Sequence, residues 1–135
     1  LKAGAMTAVL RTDRLAPDIG TQTRPAQGSI AVMVIDDSLT VRTVFSRMID
    51  READLSIVAQ ASTAEEALGI LRLTQVDVIL LDLEMPGMGG LEALPRLLRL
   101  AQGAHVLVVS SLTPDGAEAT LSALQMGAAD TMLKP

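Results

Sequence analysis

The sequence contains no cysteine, tryptophan or tyrosine, and Phe45 is its single aromatic residue. The lack of cysteine excludes disulfides, thiolate metal sites and cysteine nucleophiles. Proteins that bind single-stranded nucleic acid stack the bases on aromatic side chains, and this chain offers almost no such platform. Sixteen acidic residues against eleven basic ones give a net charge of −5. Because a protein that binds duplex DNA needs a basic surface, we expect no nucleic-acid partner.

Long apolar runs are absent as well. No run approaches the roughly 20 residues of a membrane span, and the N-terminus lacks the basic-then-apolar order of a signal peptide. These absences predict a cytoplasmic protein without a membrane segment. Hydrophobic residues make up 49% of the chain, so aliphatic side chains can build a core. The length of 135 residues suits one domain and a tail.

The chain divides unevenly at Ile30. Residues 1–29 contain scattered glycine, proline and polar residues without a sustained period, which predicts a flexible N-terminal extension. From Ile30 onward, short apolar runs alternate with stretches of helical period. Strands are predicted at 30–35, 57–61, 78–81, 106–109 and 131–133, and helices at about 38–49, 62–71, 91–100 and 114–126. Residues 30–135 therefore read as one α/β domain, a doubly wound parallel sheet with helices on both faces.

Polar residues stand where the predicted strands end, and they are Asp36, Asp37, Asp82, Ser110 and Lys134. The carboxyl ends of parallel strands meet at one edge of the sheet, so we expect these residues to lie together. Three carboxylates at one edge repel each other unless a cation lies among them. Their hard oxygen ligands suit Mg²⁺ better than zinc.

An aspartate beside a divalent cation, an ammonium group and a hydroxyl is equipped to accept a phosphoryl group as a nucleophile. Taken singly, each of these residues is weak evidence. An aspartate after a strand is usually a turn former or a helix cap, and a lone lysine is usually a solvated surface charge. Only the joint placement favours phosphoryl transfer to a metal-bound aspartate at a strand end.

The motifs at these strand ends resemble the response-regulator receiver domain. They are VIDDS at 34–38, LDLEMPGM at 81–88, Ser110 and Lys134-Pro135. The resemblance implies a flavodoxin-like, five-stranded parallel sheet of order 2-1-3-4-5. It also implies phosphorylation of Asp82 and a Mg²⁺ ion held by Asp37, Asp82 and the backbone carbonyl of Glu84, with Asp36 helping through water. Ser110 and Lys134 would contact the phosphoryl oxygens, and the Lys134–Pro135 bond would be cis.

A narrower likeness lies in LEMPGM at 83–88, GLE at 90–92, SSLT at 110–113, ATL at 119–121 and GAAD at 127–130. These stretches are similar to the receiver of the chemotaxis protein-glutamate methylesterases. The resemblance implies a chemotaxis-type histidine kinase as phosphodonor, and a methylesterase domain and chemoreceptors as partners in the parent protein. The parent would hydrolyse glutamate methyl esters and deamidate glutamines. The serine nucleophile of that esterase is not expected among these residues.

Three features depart from that pattern. Gly89 stands where the methylesterase branch usually has Asp or Asn. Thr131 stands at the switch position, where the family usually has an aromatic residue that moves between buried and exposed positions. The chain also ends at Pro135, before the final helix of a receiver, which predicts an uncovered apolar groove and self-association through it.

Two other functions are alternatives to a phosphorylated regulatory domain. One is a stand-alone or degenerate receiver that acts as a protein-interaction module without an esterase output. Such a module would not need the full set of acidic-site residues. The other is an enzyme of the haloacid-dehalogenase type, which would require Asp-x-Asp at the first strand end, where this chain has the adjacent pair Asp36 and Asp37.

Overall fold

The computed structural model describes residues 29–135. The extension predicted for residues 1–29 lies outside the described residues, apart from Ser29. The strands are β1 (Ile30–Ile35), β2 (Leu55–Ala61), β3 (Val78–Asp82), β4 (His105–Ser110) and β5 (Asp130–Leu133). The helices are α1 (Leu39–Asp50), α2 (Ala64–Leu71), α3 (Gly90–Leu100) and α4 (Pro114–Met126).

The five strands form one parallel sheet of order β2-β1-β3-β4-β5. This confirms the predicted α/β architecture and strand order. All residues of β1 and β3 are buried, as expected for central strands that are covered on both faces. The order reverses between β1 and β3, so the carboxyl ends of these two strands flank the point where ligands bind in such sheets.

Alternating residues of the strands face two separate cores. On one face, side chains such as Met33, Ile79 and Val108 pack with the buried residues of α2, α3 and α4. On the other face, Val34 and Leu80 pack in the cluster that contains the buried residues of α1. That cluster includes Phe45, the only aromatic residue, which is 1% exposed. The period of two along each strand thus separates the residues that cover the two sides of the sheet.

Helix starts follow the capping residues in the sequence. Ser38 and Thr63 accept hydrogen bonds from backbone N–H groups in the first turns of α1 and α2, and Thr113 does the same at the start of α4. Gly127 ends α4 in the left-handed conformation with φ 118°, as its position predicts. Helix α3 begins after Gly89, which makes no side-chain cap. A helix therefore begins at each predicted site, but α3 lacks the usual stabilising side chain.

Two predicted strands were shorter than the observed ones. Strand β2 begins at Leu55 because that residue pairs with Ile30 of β1. Strand β4 extends to Ser110 because Ser110 pairs with Leu133 of β5. The Lys134–Pro135 bond was expected to be cis, and this was wrong, since the described residues contain no cis peptide bond. The trans form is the one that an X–Pro bond favours in the absence of a contact that selects the cis form.

An open apolar groove of about 700 Å³ lies between α4 and β5. Leu112 and Leu121, which line it, are 86% and 63% exposed. Thr131 of β5 lies in its wall. Self-association through an uncovered groove remains a prediction.

Among residues 29–135, no helix has the length and apolar character needed to span a membrane.

Candidate functional site

The structure brings together the three predicted carboxylates at the carboxyl end of the sheet. Asp36 and Asp37 follow β1, and Asp82 is the last residue of β3. One carboxylate oxygen of each residue lies within 4.8 Å of the others. Asp36 and Asp82 are each 1% exposed, whereas Asp37 is exposed. The cluster therefore consists of two buried carboxyl groups, Asp36 and Asp82, and one that faces solvent, Asp37.

Each buried carboxyl group has one satisfied oxygen and one unsatisfied oxygen. Asp36 Oδ1 accepts a hydrogen bond of 2.9 Å from Ser38 N, and Asp82 Oδ1 accepts one of 2.9 Å from Glu84 N. The Oδ2 atoms of Asp36 and Asp82 are buried and have no hydrogen-bond partner among residues 29–135. A buried carboxylate oxygen without a partner is costly, and a bound cation would offset that cost.

Burial raises the pKa of both groups. Desolvation is the largest effect on Asp36, and the backbone N–H of Ser38 opposes it. Desolvation also raises the pKa of Asp82 to about 6, and the Asp36 charge adds to this effect. The backbone N–H of Glu84 and the charge of Lys134 oppose the increase but do not cancel it. At neutral pH the Asp82 carboxylate is ionised at an energetic cost that a bound cation would offset.

These residues fit a Mg²⁺ ion. The donor set consists only of carboxylate oxygens, which Mg²⁺ prefers, and the two unsatisfied Oδ2 atoms give a cation something to bind. The exposed Asp37 leaves one side open to water, and Mg²⁺ usually keeps several water ligands.

Lys134 approaches the cluster from the end of β5. Its backbone N–H donates to Ser110 O at 3.0 Å, which continues the β4–β5 ladder by one residue. Its Nζ atom lies 3.3 Å from Asp82 Oδ1 and 3.5 Å from Glu84 Oε2. Partial burial lowers the pKa of Lys134, but the Asp82 and Glu84 carboxylates outweigh that effect and hold the pKa above its ordinary value. Lys134 is therefore a firmly charged ammonium group shared by two carboxylates.

The side chain of Glu84 was not foreseen from the sequence, which assigned a role only to its backbone carbonyl. Ser111 Oγ donates to Glu84 Oε1 at 2.5 Å, and this hydrogen bond is the largest of the effects that lower the pKa of Glu84. Thr113 Oγ1 lies 3.0 Å from Ser111 Oγ and extends the chain of polar contacts to the start of α4. Glu84 thus links the loop after β3 to the loop after β4.

Ser110 is buried at the end of β4, and its hydroxyl contacts α4. Ser110 Oγ lies 2.7 Å from Thr120 Oγ1, and Thr120 Oγ1 also donates to Gly116 O at 2.8 Å. Thr131, the predicted switch residue, is exposed on β5 and lies in the α4–β5 groove, outside the carboxylate cluster. Thr120 was not singled out for a role, because its contact with Ser110 depends on how α4 packs on the sheet.

Arg42 is another residue that the sequence reading missed. Its Nη1 atom donates to the backbone carbonyl of Asp36 at 2.6 Å, and its charge lowers the pKa of Asp36 slightly. The signal was its place in the first turn of α1, five residues after Asp37. Arg42 fixes the backbone at the end of β1 and so helps to hold both carboxylates in place.

The model of the response regulator receiver domain matches residues 32–135. The chain belongs to that family. The receiver fold, the strand order and the position of the acidic cluster at the carboxyl end of the sheet agree with this assignment.

Its curated relatives include protein-glutamate methylesterase/protein-glutamine glutaminase 1 of Paramagnetospirillum magneticum, which is 46% identical over 111 residues. That alignment covers 82% of this chain and 29% of the relative. Protein-glutamate methylesterase/protein-glutamine glutaminase 2 of Caulobacter vibrioides is 50% identical over 104 residues, covering 77% of this chain and 30% of the relative. The chain thus spans less than a third of the length of these proteins and corresponds to their receiver region.

Among solved structures, the receiver is similar to the response regulator domain of Thermotoga maritima CheB. The two share 39% sequence identity and a TM-score of 0.71, with 79% of each chain covered. This likeness supports the resemblance to the methylesterase branch that the sequence motifs indicated.

Proposed function

We propose that this receiver accepts a phosphoryl group on Asp82 with the help of Mg²⁺. The observation that carries the proposal is the pair of buried, unsatisfied Oδ2 atoms on Asp36 and Asp82, beside the Lys134 ammonium group. A buried carboxylate oxygen without a hydrogen-bond partner costs free energy, and a bound cation would offset that cost.

Asp82 is the nucleophile in this proposal. One of its carboxylate oxygens forms a bond to phosphorus, while the bond between phosphorus and the donor's nitrogen or oxygen breaks and the donor leaves with the electron pair. The product is an acyl phosphate on Asp82. Because the pKa of Asp82 is about 6, its carboxylate is ionised and nucleophilic at neutral pH.

The other residues of the site would bind and orient the phosphoryl group. Asp36, Asp37, Asp82 and the backbone carbonyl of Glu84 would hold Mg²⁺, which when bound neutralises charge on phosphoryl oxygens. Lys134 would pair with another phosphoryl oxygen, since its ammonium group already lies against Asp82. The hydroxyl of Ser110 would donate a hydrogen bond to the phosphoryl group.

The likeness to the methylesterases supports a finer proposal about the longer protein. A chemotaxis-type histidine kinase would be the phosphodonor, and the receiver would control a methylesterase and deamidase domain that acts on chemoreceptors in the cytoplasm. The support is the 46% identity to a relative named for these activities and the similarity to a CheB receiver. The activity belongs to residues outside this chain.

The test is the intact mass of the protein after incubation with Mg²⁺ and acetyl phosphate. We expect a gain of one phosphoryl group, which disappears with EDTA and in Asp82→Asn. The matched control is Asp50→Asn, which removes a carboxylate from the exposed end of α1 and should react like the wild type. A folded protein that gains no phosphoryl group would overturn the proposal.

A second candidate is an interaction module that binds its partners without switching. One observation favours it. Thr131 is exposed at the edge of an open apolar groove, and a threonine has no aromatic ring that could move between buried and exposed positions when Asp82 is phosphorylated. The failure of acetyl phosphate to modify the folded protein would favour this second function.

A further inference from the structure

Three arginine side chains line a cleft between α2 and α3, away from the carboxylate cluster. Arg72 directly follows the last residue of α2, and Arg96 and Arg99 belong to α3. The α2–α3 cleft has a volume of about 310 Å³. Each helix of a parallel sheet runs back from the carboxyl end of one strand to the amino end of the next, so α2 and α3 end at the amino edge. The cleft is therefore separate from Asp82, which lies at the carboxyl edge.

The spacing along each helix explains why these arginines meet. Residues three or four positions apart lie on the same face of a helix. Arg96 and Arg99 are three apart in α3, and Leu68 and Arg72 are four apart at the end of α2. The two helices pack on the same face of the sheet, and both pairs line the cleft. Leu100 completes the lining, so the cleft combines apolar surface with positive charge.

The positive charge of the α2–α3 cleft has no counter-ion in the described part of the chain. Arg72, Arg96 and Arg99 are all exposed. Residues 29–135 provide none of the three guanidinium groups with a hydrogen bond or an ion pair. The whole chain carries a net charge of −5, so this cluster has the opposite sign to the protein as a whole. Such a local charge attracts a partner with a complementary negative surface.

A buried amide oxygen lies beside the cleft. Gln75 Oε1 is buried and has no hydrogen-bond partner among residues 29–135. Gln75 lines a second hollow, also of about 310 Å³, which shares Arg99 and Leu100 with the α2–α3 cleft. An N–H group from a ligand would satisfy this oxygen. A peptide supplies such a group from its backbone, in addition to any carboxylates that it carries.

We propose that the α2–α3 cleft binds an acidic segment of a partner protein that also carries apolar side chains. Carboxylates of the segment pair with the three arginines, its apolar side chains contact the two leucines of the lining, and a backbone N–H donates to Gln75 Oε1. A nucleic acid fits less well, because the net charge of −5 repels a long polyanion and the cleft lining contains no aromatic side chain. The proposal does not depend on phosphorylation of Asp82.

A purely structural role for the arginines makes a different prediction. Arg72 is the C-cap of α2, and Arg99 lies in the last turn of α3, where a cation stabilises the negative end of the helix dipole. If that were their only role, Arg99→Gln would lower the melting temperature and leave peptide binding unchanged. Arg96 precedes the last turn of α3, so Arg96→Gln tests binding with little effect on the helix end.

The experiment measures the binding of two fluorophore-labelled synthetic peptides by fluorescence polarisation. One peptide repeats Glu-Glu-Leu and the other repeats Gln-Gln-Leu. The wild type should bind the glutamate peptide about 10-fold more tightly at low salt, and the difference should shrink as salt is added. Arg96→Gln and Arg99→Gln should each weaken binding of the glutamate peptide about 2- to 5-fold. The matched control is Arg47→Gln, an exposed arginine of α1, which should bind like the wild type.

Two further measurements distinguish a peptide from a simple anion. Gln75→Ala should weaken binding of the glutamate peptide about 2- to 10-fold, the effect of one lost hydrogen bond. Inorganic phosphate should displace the peptide no better than chloride at the same ionic strength.

The proposal would be overturned by a wild type that binds neither peptide or binds both equally. Arg96→Gln and Arg99→Gln proteins that bind like Arg47→Gln would also contradict it, as would a Gln75→Ala protein with the wild-type affinity. Specific displacement by phosphate would show a simple anion site instead, and tighter binding of a single-stranded DNA oligonucleotide would show a nucleic-acid site. None of these outcomes affects the proposed phosphorylation of Asp82, because no phosphodonor is present.

Discussion

The Nζ atom of Lys134 lies 3.3 Å from Oδ1 of Asp82, although β4 separates their strands in the sheet. Lys134 reaches across β4 because it follows β5 and its side chain lies over the carboxyl edge. The same ammonium group lies 3.5 Å from Glu84 Oε2. The Lys134 ammonium group therefore pairs with two carboxylates, the buried one of Asp82, which is proposed to react, and the exposed one of Glu84.

Replacing Lys134 by glutamine should slow phosphorylation by acetyl phosphate about 100-fold, the usual effect of removing one aligned donor from a developing charge. The variant keeps a hydrogen-bonding side chain but loses the positive charge against Asp82. The measurement is the initial rate of mass gain at saturating Mg²⁺. Arg47→Gln, which removes an exposed charge in the last turn of α1, is the control and should react at the wild-type rate. Equal rates for the two variants would contradict the role of Lys134.

Replacing Glu84 by glutamine should speed the same reaction about 2- to 5-fold at low salt, because an exposed negative charge near the site repels an anionic donor. Glutamine retains an oxygen that can accept the hydrogen bond from Ser111. The gain should shrink as salt is added. Glu118→Gln, on the exposed surface of α4, should show no such gain. A salt-independent effect of Glu84→Gln would rule out the electrostatic explanation.

Asp82→Asn should stabilise the metal-free protein above pH 6. In the folded protein the pKa of Asp82 is raised from 3.8 to about 6, so between these values the folded state binds more protons than the unfolded state. The free energy of unfolding of the wild type then falls as pH rises through this window, and the loss is complete above pH 6. Asparagine stays neutral and avoids that loss, which amounts to about 3 kcal/mol at most.

Urea unfolding in EDTA checks this prediction. The advantage of Asp82→Asn over the wild type should be largest at pH 7.5, smaller at pH 5 and absent near pH 3.8. Asp50→Asn should show no such trend. If the stability advantage of Asp82→Asn grew as the pH was lowered, the prediction would be wrong.

Mg²⁺ should raise the melting temperature of the wild type at pH 7.5, because a ligand that binds only the folded state stabilises it. The increase should be smaller at pH 5, where Asp82 is mostly protonated and a proton competes with the cation. Asp37→Asn should weaken the increase, since it removes one carboxylate of the cluster. Thermal unfolding across a Mg²⁺ titration gives both results. An Asp37→Asn protein with the wild-type response would exclude Asp37 as a ligand.

Two adjacent glycines should respond differently to alanine. A Cβ atom on Gly90 would overlap the carbonyl oxygen of Asp82 and lie 2.7 Å from Leu83 Cα, whereas one on Gly89 would meet nothing closer than 3.9 Å. Gly90→Ala should therefore lower the free energy of unfolding by about 1–3 kcal/mol through overpacking. Gly89→Ala should fit sterically, and Gly89→Asp should add a few tenths of a kcal/mol as an N-cap of α3.

Chemical denaturation of the three glycine variants gives these differences directly. A Gly90→Ala protein as stable as the wild type would show that the start of α3 can move away from Asp82. The comparison also tests whether Gly89, the departure from the methylesterase pattern, costs the domain stability.

The local pattern of the sequence predicted most of the fold. The buried runs of β1 and β3 are continuous in the sequence, and the four helices lie close to the ranges that the helical period predicts. The boundaries of β2 and β4 were less accurate, because pairing with a neighbouring strand extends a strand beyond its apolar run.

The sequence by itself determined that Asp36, Asp37, Asp82 and Lys134 would meet, because parallel strands bring their carboxyl ends to one edge of the sheet. Only the tertiary structure decided how they meet. Within residues 29–135, two carboxylate oxygens lack hydrogen-bond partners, Lys134 is shared with Glu84, and the hydroxyl of Ser110 contacts that of Thr120. These contacts depend on the path of two loops and on the packing of α4. Strand order places residues at an edge, but distances of about 3 Å between side chains follow from the packing of the whole domain.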